Sequence, residues 1–142
     1  MTLRIRVADA ADVTALHRIR LGVRENRLSS PEQVTETSYL AYIAAGSAWV
    51  AESEFGLAGF AILDRETSSV WALFVDPSSE GVGVGRALHG HMLEWAREQG
   101  LHKLWLSTSR DTRAERFYRR AGWEPAGLTA AGELRFEIIL DA

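Results

Sequence analysis

Three glycines in the run Gly81-Val82-Gly83-Val84-Gly85 stand between an apolar segment at 70–75 and a long amphipathic stretch. Such a loop leaves several backbone N–H groups free, lets the chain bend closely around an anion, and hands on to a helix whose positive end faces the same place. A pyrophosphate fits that cradle. Two other phosphate sites do not match these residues. A nucleotide-hydrolysing loop ends Gly-Lys-Ser/Thr, whereas this one ends Gly85-Arg86-Ala87. A dinucleotide fold places its loop after the first strand and closes the next strand with an acidic residue, but here the next strand closes Leu106-Ser107-Thr108.

The rest of the composition narrows the chemistry. The chain contains no cysteine, which excludes disulfides, thiolate metal sites and a cysteine nucleophile together. A net charge of −3 with both signs interspersed does not supply the basic surface that duplex nucleic acid requires. One local exception is Arg110, Arg113, Arg116, Arg119 and Arg120, which reads first as a solvated helix face. No apolar run approaches the roughly 20 residues that span a bilayer, and the opening residues alternate in polarity rather than forming an export signal. With 142 residues, 46% of them apolar, the expectation is one domain over residues 1–142, cytoplasmic and without a metal.

These groups need a scaffold, and its elements can be read in order. Leu3, Ile5 and Val7 alternate with polar residues as in a half-buried strand. Asp9 caps a helix carrying Val13, Leu16, Ile19 or Arg20, and Val23. Ser30-Pro31-Glu32-Gln33 reads as a capping box for a second helix that ends at Gly46. Residues 48–52, 57–63 and 70–75 then form an antiparallel meander. A long helix follows the glycine loop, with Val84, Leu88, Met92, Trp95 and Ala96 on its apolar face and Gly100 at its end. Leu104-Trp105-Leu106 is a short buried strand. Thr112-Arg113-Ala114-Glu115 is a second capping box, opening a helix that Gly122 ends. Two strands complete the tail, with a turn between Gly127 and Gly132. The fold class is therefore α/β, of the α+β mixed-sheet kind.

Leu73-Phe74-Val75-Asp76-Pro77, Gly81 to Leu88, and Ala114-Glu115-Arg116-Phe117-Tyr118-Arg119-Arg120-Ala121-Gly122-Trp123 together resemble the GNAT (Gcn5-related) N-acetyltransferases. The order strand, two helices, three strands, helix, strand, helix, two strands is similar too. The resemblance implies a GNAT-like acyl-CoA N-acyltransferase fold in which the fourth and fifth strands splay and pantetheine runs between them. It implies acetyl-CoA as co-substrate, with Phe74 and Val75 along the pantetheine and Gly81, Val82, Gly83, Val84, Gly85 and Arg86 around the pyrophosphate. Asp111, where the family often has asparagine, is implied to lie near the pantetheine as a cofactor-binding residue, although a carboxylate cannot donate. Glu80 departs further, since the family's loop usually opens with arginine or glutamine. A carboxylate there opposes a phosphate by on the order of 1 kcal/mol, which Arg86 or the arginines between 110 and 120 can offset.

For catalysis the resemblance implies direct attack by an amine in a ternary complex, without a covalent enzyme intermediate. The Val75 backbone amide polarises the thioester carbonyl in this reading, and Tyr118 is the general acid that protonates the leaving thiolate. Core packing is the other role open to Tyr118. Many relatives carry a base on strand four, but Ser68-Ser69-Val70-Trp71-Ala72-Leu73 has no carboxylate. Glu25, a speculative base, then joins Glu52 and Glu133 as candidates, while His17, His89, His91 and His102 are set aside as lying away from the acceptor. Trp49, Trp71 and Tyr39 are candidates for an acceptor wall. The acceptor is a small-molecule amine or a peptide amine, and a homodimer is open. A non-catalytic acyl-CoA-binding sensor or interaction module is the alternative function.

Overall fold

The computed structural model describes residues 2–23 and 34–140. Among these residues seven strands, β1 (Arg4–Val7), β2 (Ala48–Ser53), β3 (Gly56–Asp64), β4 (Ser69–Val75), β5 (Lys103–Thr108), β6 (Glu124–Leu128) and β7 (Leu134–Ile139), form one sheet ordered β1-β2-β3-β4-β5-β7-β6. The helices are α1 (Val13–Gly22), α2 (Leu40–Ala44), α3 (Val84–Glu98) and α4 (Arg113–Arg120). Element order and mixed α/β class agree with the sequence reading.

Local chemistry explains where the elements begin. The Asp9 side chain accepts from the Ala11 N–H at 2.9 Å, and the Asp12 carboxylate accepts from the Asp9 N–H at 2.9 Å, so a reciprocal cap starts a 3-10 turn that leads into α1. Thr112 caps α4 by accepting from the Glu115 N–H at 3.2 Å. The expected reciprocal box is not completed there, because Glu115 accepts instead from the Asp111 N–H at 3.0 Å and from Arg119 at 2.9 Å. Asp111 has a left-handed backbone with φ of 61°, which moves its N–H within reach of that carboxylate. The Ser30–Gln33 box lies outside the described residues. Within them the second helix is a 3-10 turn at Glu36–Tyr39 followed by α2, and Gly46 with φ of 75° ends it.

Two apolar layers sandwich the sheet. On one face Val84, Leu88, Met92, Leu93 and Ala96 of α3 join Leu104, Leu106, Tyr118, Trp123 and Phe136. Leu88 and Met92 have no exposed surface, and burial of each stabilises by about 2 kcal/mol. On the other face Val13, Leu16 and Ile19 of α1 pack with Tyr39, Phe60, Ala72 and Phe74. Val7 departs from expectation: it closes the edge strand and is largely exposed. Gly127 also departs, lying inside β6 at an irregularity between Pro125 and Leu128, while the turn itself closes through Gly132 N–H to Thr129 O at 2.9 Å.

The sheet opens in the middle. Strands β4 and β5 are parallel and pair only at Ser69 and Trp105, where the Trp105 N–H bonds Ser68 O at 3.0 Å and its indole N–H bonds Thr67 O at 3.0 Å. Immediately beyond, β3 passes from Ile62 opposite Ala72 to Leu63 opposite Val70, which leaves Trp71 as an extra residue in β4. Such a bulge bends its strand and breaks the two-residue alternation. Trp71 and Ala72 accordingly both serve the α1 face, while Val70, Leu73 and Val75 serve the α3 face.

Candidate active site

The gap between the two arms is a cleft of about 690 Å³. Leu73, Phe74 and Val75 of β4 form one wall, Ala114, Phe117, Tyr118 and Ala121 of α4 the other, and the glycine loop with the start of α3 closes the end. Backbone direction follows from two contacts. The Asp76 N–H bonds Ala58 O at 2.8 Å, and Phe74 O lies against Gly59, so both point to β3. By the alternation of an extended strand, the Val75 N–H points the opposite way, into the gap.

The loop is shaped for an anion. Gly81 and Gly83 have φ of 80° and 88°, a region that side chains resist, and Gly83 is the N-cap of α3. The Ala87 N–H makes the first helical bond, to Gly83 O at 3.0 Å, which leaves the preceding amides of Val84, Gly85 and Arg86 as the donors a helix start does not satisfy internally. Gly85 sits in that first turn, and a Cβ there would come within 3.4 Å of Val75 and 3.6 Å of Phe117, so helix, strand and α4 meet closely. Glu80 is bridged to Arg113 at 3.2 Å across the cleft mouth, which locally neutralises the carboxylate that the sequence reading set against a phosphate. Arg86 and Arg120 also line the cleft.

Tyr118 is buried on the α4 wall, and burial pushes its phenol above the ordinary value, so it stays protonated at neutral pH. His89 lies one turn beyond Gly85 and lines the same cleft. Its Nε2 accepts from the Trp123 indole N–H at 2.9 Å. An indole only donates, so Nε2 carries no proton and the neutral ring holds its proton on Nδ1. Burial, with a smaller contribution from Arg97, depresses the His89 pKa to about 4.

Comparison with known proteins decides the family. The profile of the acetyltransferase (GNAT) family matches residues 10–123. The chain belongs to the GNAT acetyltransferase family. It is 33% identical over 133 residues to an aminoglycoside N(6′)-acetyltransferase type 1 of Stenotrophomonas maltophilia, covering 84% of this chain and 85% of that protein. A streptothricin acetyltransferase of Streptomyces lavendulae is 36% identical over 80 residues, 53% of this chain, and there the match spans only 42% of the relative's length. Among solved structures, the PaiA N-acetyltransferase of Thermoplasma acidophilum in complex with coenzyme A superposes with a TM-score of 0.82 over 98% of this chain and 99% of that one, at 16% identity.

Within this GNAT fold the expected site residues divide into two groups. Phe74, Val75, Gly81, Gly83, Val84, Gly85, Arg86 and Tyr118 come together around the cleft. Val82 turns its side chain to solvent, and Asp111 stands outside the cleft lining at the start of α4. Of the base candidates, Glu52 is held by Arg6 at 3.3 Å, Glu133 accepts from the Ser107 hydroxyl at 3.1 Å, and Glu25 lies outside the described residues. Trp49 does not join Trp71 and Tyr39: it faces α3, 5.2 Å from Trp95, whereas Tyr39 and Trp71 meet edge-on at 5.4 Å on the α1 face. The sequence reading missed His89 as a cleft residue. Its spacing of four from Gly85 placed it on the loop-facing stripe of the helix, but the Trp123 contact that sets its tautomer is not local.

Proposed function

We propose that this GNAT protein transfers an acetyl group from acetyl-CoA to a primary amine by direct attack in a ternary complex. The observation that carries the reading is the opening of β4 from β5, which turns the Val75 N–H into the same cleft as the free amides at the start of α3. The loop amides bind the pyrophosphate, and the backbone edge of Phe74 and Val75 pairs with the pantetheine. The thioester carbonyl accepts from the Val75 N–H, which stabilises the charge that develops on its oxygen. The C–N bond forms as the C–S bond breaks, the amine gives up one proton through water, and Tyr118 supplies one to the departing thiolate.

Support comes from the family match, from a relative named for acetylating an aminoglycoside amine, and from the coenzyme A complex of the PaiA enzyme. The lack of a strand-four carboxylate favours a second reading, a non-catalytic acyl-CoA-binding module. Calorimetric titration with acetyl-CoA, with ATP and NAD as controls, tests the cradle, and amine-dependent release of free thiol tests transfer. Selective saturable binding with thiol release is expected. Binding without release from any amine in a broad panel selects the second reading, and absence of binding overturns both.

A further inference from the structure

Arg20 occupies the last turn of α1, three residues before Val23, which lines the cleft. Its guanidinium carbon lies 4.7 Å from the centroid of Trp71 and 4.9 Å from that of Phe74, so it is inserted against the α1 face of β4. Nε and Nη1 are buried, and neither has a hydrogen-bond partner among the described residues. Among the described residues no carboxylate pairs with it, and the polar group beside it is the phenol of Tyr39, which is fully buried and itself 2.9 Å from His17 Nδ1.

A guanidinium does not shed its proton in a protein, so this is a largely buried positive charge that meets the Tyr39 hydroxyl but leaves its Nε and Nη1 donors unmet among the described residues. Such groups are rare in folded chains because desolvation of the ion is returned only when an opposite charge and hydrogen bonds meet it. The two ring faces return a fraction of that cost. Packing alone does not account for the choice, since a methionine or leucine fills the space beside Trp71 and Phe74 without burying a charge. The missing partner is an oxyanion, and the paired N–H edges of a guanidinium match the two oxygens of a carboxylate.

Position separates this cation from the phosphate cradle. The glycine loop, α3 and Tyr118 lie on one face of β4, and Arg20 lies on the other, in contact with Phe74, the residue before Val75. We propose that Arg20 anchors the carboxylate of the acceptor, and that the acceptor class is compact amino carboxylates such as amino acids rather than simple amines. This rests on the acetyltransfer reading and names its substrate class.

The smallest product of such a reaction is N-acetylglycine, and N-methylacetamide is the same molecule without the carboxylate. Each is titrated calorimetrically into protein saturated with CoA. The expected result is saturable binding of N-acetylglycine at least about tenfold tighter than that of N-methylacetamide, the scale of one hydrogen bond to a charged group. In Arg20→Gln that preference falls to within about twofold while CoA affinity is kept. No preference in the wild-type protein, or a preference that survives in Arg20→Gln, overturns the assignment. The wild-type comparison stands by itself should the variant not fold. Failure to bind CoA at the saturation step is a separate outcome and sinks the acetyltransfer reading on which this one rests.

Discussion

Tyr118 packs in the core and, in the proposed reaction, also carries chemistry. It stacks edge-on with Phe117 at 5.2 Å and Trp123 at 5.4 Å, which fixes its ring, and it lines the cleft where a thiolate would leave. Tyr118→Phe preserves the stacking and deletes only the hydroxyl. Turnover is expected to fall about 100-fold or more, with acetyl-CoA affinity within about twofold, as measured by thiol release and calorimetry. Turnover at the wild-type rate would return the residue to a packing role. Glu80 illustrates the opposite case, an apparent defect in the loop that becomes intelligible beside Arg113. Both side chains of that bridge are substantially exposed, so its contribution to stability is small, and its consequence is the local charge at the cleft mouth.

At the scale of elements, the cleft depends on how closely β3, β4 and α3 approach. A Cβ on Gly59 would stand 2.7 Å from Phe74 O, 3.0 Å from Val84 Cγ1 and 3.2 Å from Leu88 Cδ1. Two of those three neighbours belong to a packed helix and one to backbone, so the strain cannot be relieved by turning one flexible side chain. Gly59→Ala is expected to lower stability by about 1–3 kcal/mol in urea denaturation, and to weaken acetyl-CoA binding by displacing the strand that presents Val75. Gly90→Ala on the open side of α3, where a Cβ meets nothing within 4 Å, serves as the control and is expected to stabilise by about 0.5–1 kcal/mol. A loss of stability at Gly90 equal to that at Gly59 would contradict the steric account.

The whole molecule carries a pH dependence with a defined sign. His89 ionises at about 4 in the folded protein, below the value of about 6.5 for a free imidazole. The unfolded chain therefore takes up a proton at this position before the folded one does. The contribution is fully present above pH 6.5 and is lost as pH falls toward 4, a decline on the order of 3 kcal/mol. Asp12, held below the ordinary carboxylate range by the Arg6 guanidinium at 2.9 Å, keeps its contribution above that range and loses it only at lower pH. Denaturation at pH 7, 5.5 and 4.5 should show the His89 decline, and His89→Gln should flatten it. A slope unchanged in the variant would assign the decline elsewhere.

What the sequence determined by itself is what neighbours within a few residues can encode. Alternation wrote β1, runs of β-branched, aromatic and small apolar residues between turn signals wrote β2 to β4, the three- and four-residue spacing of Val84, Leu88 and Met92 wrote α3, Thr112 started α4, and three glycines marked the loop before α3. Each depends on the conformation of one short stretch. The tertiary structure decided what needs two stretches at once. It set the separation of β4 from β5, because that follows from one pairing at Ser69 and Trp105 and a bulge at Trp71 defined only against β3. It set the tautomer of His89 through Trp123, the neutralisation of Glu80 by Arg113, and the burial of Arg20 against Trp71 and Phe74. Periodicity shows that Arg20 lies on the inner side of its helix, but only the packing of α1 on β4 deprives its Nε and Nη1 of water and, among the described residues, of a partner.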